Sequence, residues 1–170
     1  MANEEKLTSN PAAALFDALD DVRTGMLGIH GSEQHLQPMT HFGDREEGKI
    51  RFITARDTDL AKSVGSGKEA RFTVVSTAQD FHACVAGKLS QVEDRKKLEE
   101  LWSPMIGAWF EGGPEDQNAV LLELDISEAS MWASTSNPFR FGYQIAKANL
   151  TEGNQPDVGE HVVHNFHAAA

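Results

Sequence analysis

The chain has 170 residues, a length suited to one domain around one core. Its 40% hydrophobic and 24% charged residues are ordinary for a globular protein and argue against disorder or a fibrous repeat. A formal net charge of -11 repels polyphosphate and anionic lipid, which argues against nucleic acid or a membrane surface as partner. The single cysteine, Cys84, leaves no intrachain disulfide and no multi-cysteine metal site. Met1 to Thr8 is polar and acidic, unlike a signal peptide, and no apolar run approaches the ~20 residues that span a bilayer. A soluble, cytoplasmic protein is the expectation.

In chain order, Ser9-Asn10-Pro11 reads as a helix start, because Asn caps and Pro favours the first helical position. Leu15, Phe16, Leu19 and Val22 recur at helical spacing to about Arg23. The period then changes to two, and Thr24–His30, His35–Phe42 and Lys49–Thr54 read as strands separated by glycine-bearing turns. In the third of these, Ile50, Phe52 and Thr54 share one face and Arg51 and Ile53 the other. A short helix follows with Thr58 or Asp57 as its cap and Leu60, Ala61 and Val64 inward.

Two further strands are expected at Ala70–Thr77 and Phe81–Val92. Glu93–Trp102 is helical, with opposite charges at i,i+4, and Ser103-Pro104 opens a second short helix carrying Met105, Trp109 and Phe110. Ala119–Ile126 and Ala129–Ser134 read as a hairpin-like pair, Phe139–Leu150 as a helix and Val158–Phe166 as a last strand. Short strands joined by tight turns point to antiparallel pairing and a small barrel.

Few motifs carry chemistry. Gly65-Ser66-Gly67-Lys68 lacks the Gly and the Ser or Thr of a phosphate loop, since Lys62 and Glu69 stand there, and reads as a turn. His161, His164 and His167 are three apart, which on a strand puts successive rings on opposite faces, so no metal site is expected. Cys84 lies mid-strand in an apolar stretch and reads as inert. Arg56, Thr58, Lys62 and Lys68 group around the third strand's end. Such a set suits a phosphate monoester, while salt bridges to Asp57, Asp59 and Glu69 are the plainer reading. Trp102, Trp109 and Phe110 form an aromatic group beside Gly112-Gly113, suited to core, to a ring-binding pocket or to a dimer seam.

Taken together, His35 to Thr40, Arg51 to Lys62, Phe81 to Leu89 and the run Leu101-Trp102-Ser103-Pro104-Met105 through Trp109-Phe110-Glu111-Gly112-Gly113, with Val120 to Leu122 and Met131-Trp132 after it, resemble one family. This is the general stress protein branch of the pyridoxamine 5'-phosphate oxidase-like, FMN-binding split-barrel proteins. The resemblance covers residues 8–166. It implies a mainly β fold with peripheral helices: a six-stranded antiparallel split barrel, a single domain over 1–170, homodimeric, with flavin in clefts between subunits.

Carried over residue by residue, the resemblance runs Gln37, Pro38, Met39 and Thr40 beside the isoalloxazine ring. Ile53, Thr54 and Ala55 belong to the cofactor-binding set, with Thr58 and Lys62 holding the ribityl phosphate and Arg56 helping to neutralise it. His82 falls where a polar residue often reaches the flavin, and Trp109 and Phe110 close the cleft. Gln37, Arg51, Asp59 and Leu60 depart from the family pattern, and the residues that bind pyridoxine in true oxidases are not recognisable. The expected cofactor is FMN, with FAD or a deazaflavin as alternatives, and the expected function is flavin binding with latent oxidoreductase ability. A non-catalytic flavin-binding or redox-sensing module, or a split-barrel interaction protein without cofactor, are the alternatives.

Overall fold

The computed structural model describes residues 2–135, 138–150 and 159–166. Two helices open the chain, α1 (Ala2–Ser9) and α2 (Pro11–Asp21). Asn10 separates them, its side chain accepting a hydrogen bond from Ala13 N, as the Asn-Pro pair requires. α2 buries Leu15, Phe16 and Leu19. α1 lies outside the sequence expectation, because Leu7 is the one large apolar side chain that it buries.

All eight described strands join one antiparallel sheet: β1 (Thr24–Ile29), β2 (Gln37–Thr40), β3 (Phe42–Asp44), β4 (Lys49–Ala55), β5 (Lys68–Val75), β6 (Phe81–Val92), β7 (Ala119–Ser134) and β8 (Gly159–Asn165). The hydrogen-bonded order is β2-β1-β5-β6-β7-β4-β3, with β8 added beside β7. β2 and β3 stand at opposite ends of that order, yet only His41 separates them in sequence. The sheet must therefore curl until its two ends meet, which is how a half-barrel forms. The count differs from the six strands that the resemblance implies: the segment read as one strand over His35–Phe42 is broken at His41 into β2 and β3, and β8, the last strand read from the sequence over Val158–Phe166, pairs beside β7.

β7 corrects the sequence reading most clearly. Residues 119–134 form one strand, not a hairpin, because Ser127 is absorbed as a bulge opposite the Ala86/Gly87 step. One edge of β7 pairs with β4 along its first half and with β8 along its second. At the bulge a Cβ on Gly87 would lie 2.1 Å from Asp125 O, so the close approach of β6 and β7 needs glycine there.

The core fills the barrel interior with Leu27, Ile50, Phe52, Phe72, Val85, Leu89, Leu122, Leu124, Ile126 and Met131, all fully buried. A second, smaller cluster holds Leu98, Phe110, Ala119 and Leu121 under α4 (Arg95–Leu101). The remaining helices are α3 (Asp59–Val64), α5 (Pro104–Gly107) and α6 (Pro138–Leu150). No described helix is long and apolar enough to cross a membrane.

His41 sits at the seam where the sheet ends meet. Its ring is 7% exposed and edge-on to Phe72 at 5.1 Å. Nε2 donates to Leu19 O at 2.9 Å, while Nδ1 is buried without a partner. Burial pushes its pKa below 6.5, against the opposing pull of the Leu19 carbonyl and Asp20. The fold therefore holds the ring neutral, whereas the unfolded chain takes up a proton near pH 6.5. The stability that this ring contributes is present above that pH and is lost as pH falls through it. His41→Gln flattens this dependence; urea midpoints at pH 7.5, 6 and 5 check it, and an equal slope in both proteins contradicts it.

Candidate functional site

A cleft of about 490 Å³ opens where the barrel seam meets the helical insert. One wall is β2 and the start of β3, with Pro38, Met39, Thr40 and Phe42. The floor is the end of β4, with Ile53, Thr54 and Ala55, and Thr58 follows at the start of α3. The opposite wall is α5 and its flanks: Ser103, Met105, Ile106, Trp109 and Phe110. Each wall is placed by a local rule. Thr58 caps α3 by accepting from Ala61 N at 3.2 Å, and Ser103 caps α5 by accepting from Ile106 N at 3.4 Å. Phe110 is 9% exposed and packs on Trp102 at 5.7 Å, which anchors the wall, while Trp109 beside it is 82% exposed at the rim.

The lining is apolar with a hydroxyl end. Thr54 Oγ1 lies 3.5 Å from Thr58 Oγ1, which also donates to Ala55 O at 2.7 Å. None of the described lining residues is ionisable. Such a surface can receive a planar aromatic ring system and orient it by shape, with the hydroxyls fixing one end. It offers no side-chain general acid or base of its own.

Of the residues singled out in the sequence, Pro38, Met39, Thr40, Ile53, Thr54, Ala55, Thr58, Trp109 and Phe110 are brought to this one cleft. Four are not. Gln37 begins β2 opposite Leu27, just outside the lining. Arg56 turns away: its Nε donates to Gln117 O at 3.1 Å, and it lines a separate cleft of about 300 Å³ beside Arg95. Lys62 is exposed one turn along α3 from Thr58. His82 lies on the outer face of β6, in a cross-strand row with Val75 and Trp132.

The structure adds Phe42, Ser103, Met105 and Ile106. Ser103 and Met105 belong to the Trp-Ser-Pro-Met run, which the sequence marked as a helix start without assigning it to the cleft.

The tail histidines separate as their spacing requires. His161 faces out, stacked on Trp132 at 4.7 Å and bonded to Ser130 Oγ at 2.9 Å, while His164 meets Phe166 edge-on. His167 lies outside the described residues. Among the described residues no group of three metal-ligating side chains gathers. Cys84, read from its apolar stretch as buried and inert, is partly exposed on the outer face of β6.

Arg51 is the least expected charged residue. It is 4% exposed on β4, and its guanidinium meets Asp44 at 2.6 Å, Glu123 at 3.0 Å and Glu47. Lys49 joins Glu123 at 2.8 Å. Burial would lower the Arg51 pKa, but the hydrogen bonds it donates to Asp44 and Glu47 raise it overall, so the charge is kept. Burial pushes Asp44 up, yet the Glu47 N–H and the guanidinium hold it below its ordinary value.

A curled antiparallel half-barrel with an apolar cleft at its seam has the architecture of a split barrel. The family model for pyridoxamine 5'-phosphate oxidase-like proteins matches residues 10–157. A candidate general stress protein 26 from Jannaschia sp. CCS1 is 40% identical, with 89% of this chain and 95% of that chain covered and a TM-score of 0.74. The general stress FMN/FAD binding protein from Xanthomonas citri is 35% identical, covering 72% and 89%, with a TM-score of 0.65. A Clostridium acetobutylicum protein related to general stress protein 26 shares the fold at 11% identity, covering 91% and 94%, with a TM-score of 0.64. No curated protein matches the chain. The chain belongs to the general stress protein branch of the pyridoxamine 5'-phosphate oxidase-like family.

Proposed function

We propose that the protein binds a flavin nucleotide, FMN before FAD or a deazaflavin, in the seam cleft, as a cytoplasmic homodimer acting as one domain over 1–170. The observation that carries this reading is the lining: apolar walls from β2, β4 and α5 enclose about 490 Å³, within the range of cofactor pockets. The Xanthomonas citri relative, 35% identical, supports the ligand class. Met39, Ile53 and Ile106 give the ring its apolar bed, and Thr54 and Thr58 offer hydroxyls toward the ribityl end. Lys62 lies one turn along α3 from Thr58 at that end, and Arg56 reaches it only by leaving Gln117. A single accessible lysine makes phosphate recognition salt-sensitive and modest.

The dimer would bury the outer face of β5–β8, where Val75 is 45%, Trp132 44% and Val163 49% exposed around His82 and His161. This arrangement turns His82 away from its own cleft and leaves the partner's flavin as the one it can approach. Bound flavin would supply the electron-transfer chemistry. The chain's residues bind and orient the ring and shield it from water. The absence of an ionisable side chain among the described lining residues equally supports a flavin holder without turnover. Bleaching of protein-bound FMN by NADH or NADPH, followed by its return in air, separates an oxidoreductase from such a holder. A flavin that stays oxidised with both donors supports the holder.

A further inference from the structure

α6 turns an apolar stripe to solvent. At 100° per residue, Phe139, Tyr143, Ala146 and Leu150 fall within about 60° on one face. Tyr143 is 65% exposed and Leu150 88%. A helix spaced i, i+4, i+7 and i+11 in this way is shaped to lie in an apolar groove. α6 also carries Arg140 and Lys147 with no acidic residue, against the trend of a chain with net charge -11.

The seam cleft is the matching groove. Its rim exposes Trp109 and, at 56%, Met105, and the chain runs on from Phe110 to Glu111 and Glu115, while Asp116 beyond them is held by the Gly112 and Asn118 N–H groups with Arg95 bonded to its carbonyl. Apolar stripe meets apolar rim, and basic helix meets acidic segment. The helix cannot reach its own chain's cleft readily. β7 runs from Ala119, paired with Ala55 in the cleft floor, to Ser134 at the other end. At roughly 3.3 Å per residue that is up to roughly 50 Å, and α6 leaves from the far end. Among the described residues α6 shares no extended packing with β2, β4 or α5.

We propose that α6 of one protomer seats on the cleft rim of a second copy, with Tyr143 and Leu150 against the partner's Trp109 and Met105 and with Lys147 beside its 111–116 segment, so that each cleft is closed only in the dimer. This rests on the homodimer proposed above and not on the flavin. The helix packs there because both apolar surfaces leave water together, and Lys147 offsets the rim carboxylates.

The test is zero-length carbodiimide cross-linking of Lys147 in dimers assembled from equal amounts of ¹⁵N-labelled and unlabelled chains. The expected product is a Lys147 link to Glu111, Glu115 or Asp116 that joins labelled to unlabelled peptide. It should fall at least tenfold in the Tyr143→Ser/Leu150→Ser protein, whose changes lie on exposed side chains and spare the core. Links confined to one chain, or none from Lys147, overturn the proposal, as does a protein that sediments as a monomer. Binding to anionic phospholipid vesicles that the double variant loses would make α6 a membrane-surface helix, and also overturns it. FMN retention, read on the same wild-type sample, decides the flavin reading separately.

Discussion

Arg51→Met destabilises the fold by about 3 kcal/mol at pH 7, the low end for breaking a buried ion cluster. Without the guanidinium, Asp44, Glu47 and Glu123 face one another with only Lys49 between them. Glu47 is nearly half exposed and can relax into water, which keeps the loss from being larger, while Glu123 is 15% exposed and cannot. The sign with pH follows from Asp44, whose folded pKa lies below 3.8. Its contribution in the natural protein is present above that value and lost as pH falls through the folded one. In the variant Asp44 lacks the guanidinium that lowers its pKa and takes up a proton more readily than in the natural protein. The deficit is therefore largest at neutral pH and narrows on acidification. Urea titrations of both proteins at pH 7.5, 5.5 and 4 read this directly, and a deficit constant with pH would show that packing, not charge, carries the loss.

Thr40→Trp weakens FMN binding by about 100-fold, or about 2.7 kcal/mol. Thr40 is exposed on β2 and lines the cleft, so the indole takes the place that the ring system needs without entering the core. Its melting temperature should match the natural protein within a few degrees, because an exposed strand position accepts an aromatic residue. Fluorescence titration with FMN measures the affinity. Unchanged binding would place the flavin elsewhere, the cleft beside Arg56 and Arg95 being the first place to look.

Local signals were legible where one residue decides the conformation. Asn10-Pro11, Thr58 and Ser103 mark helix starts, and each is a cap in the structure. The alternation of Phe81, Ala83, Val85 and Leu89 gives β6 its buried face without further help. What could not be read locally depended on partners far along the chain. Ser127-Glu128 has turn chemistry, but its neighbours pair continuously with β6 on one side and with β4 then β8 on the other, and the bulge absorbs the misfit. Alternation set Arg51 opposite the core face, yet Glu123, 72 residues on, buries it.

The cleft shows the same division. Its β2 and β4 walls and the Trp109-Phe110 pair were named through the family resemblance, and the structure brings them to one cleft. Arg56 was grouped with Thr58 and Lys62 by spacing and by the family resemblance. The end of β4 directs it instead to the carbonyl of Gln117, a contact that sequence spacing does not show. α6 was legible as a helix over Phe139–Leu150, and the structure places it at Pro138–Leu150.

The most direct test of flavin binding is the visible spectrum of the purified protein, taken before and after mixing with FMN and desalting. The account predicts a retained yellow chromophore near one per chain, with its fluorescence quenched by Trp109 and Thr40→Trp passing through the column colourless. A natural protein that emerges colourless, and that retains neither FAD nor a deazaflavin, would contradict it.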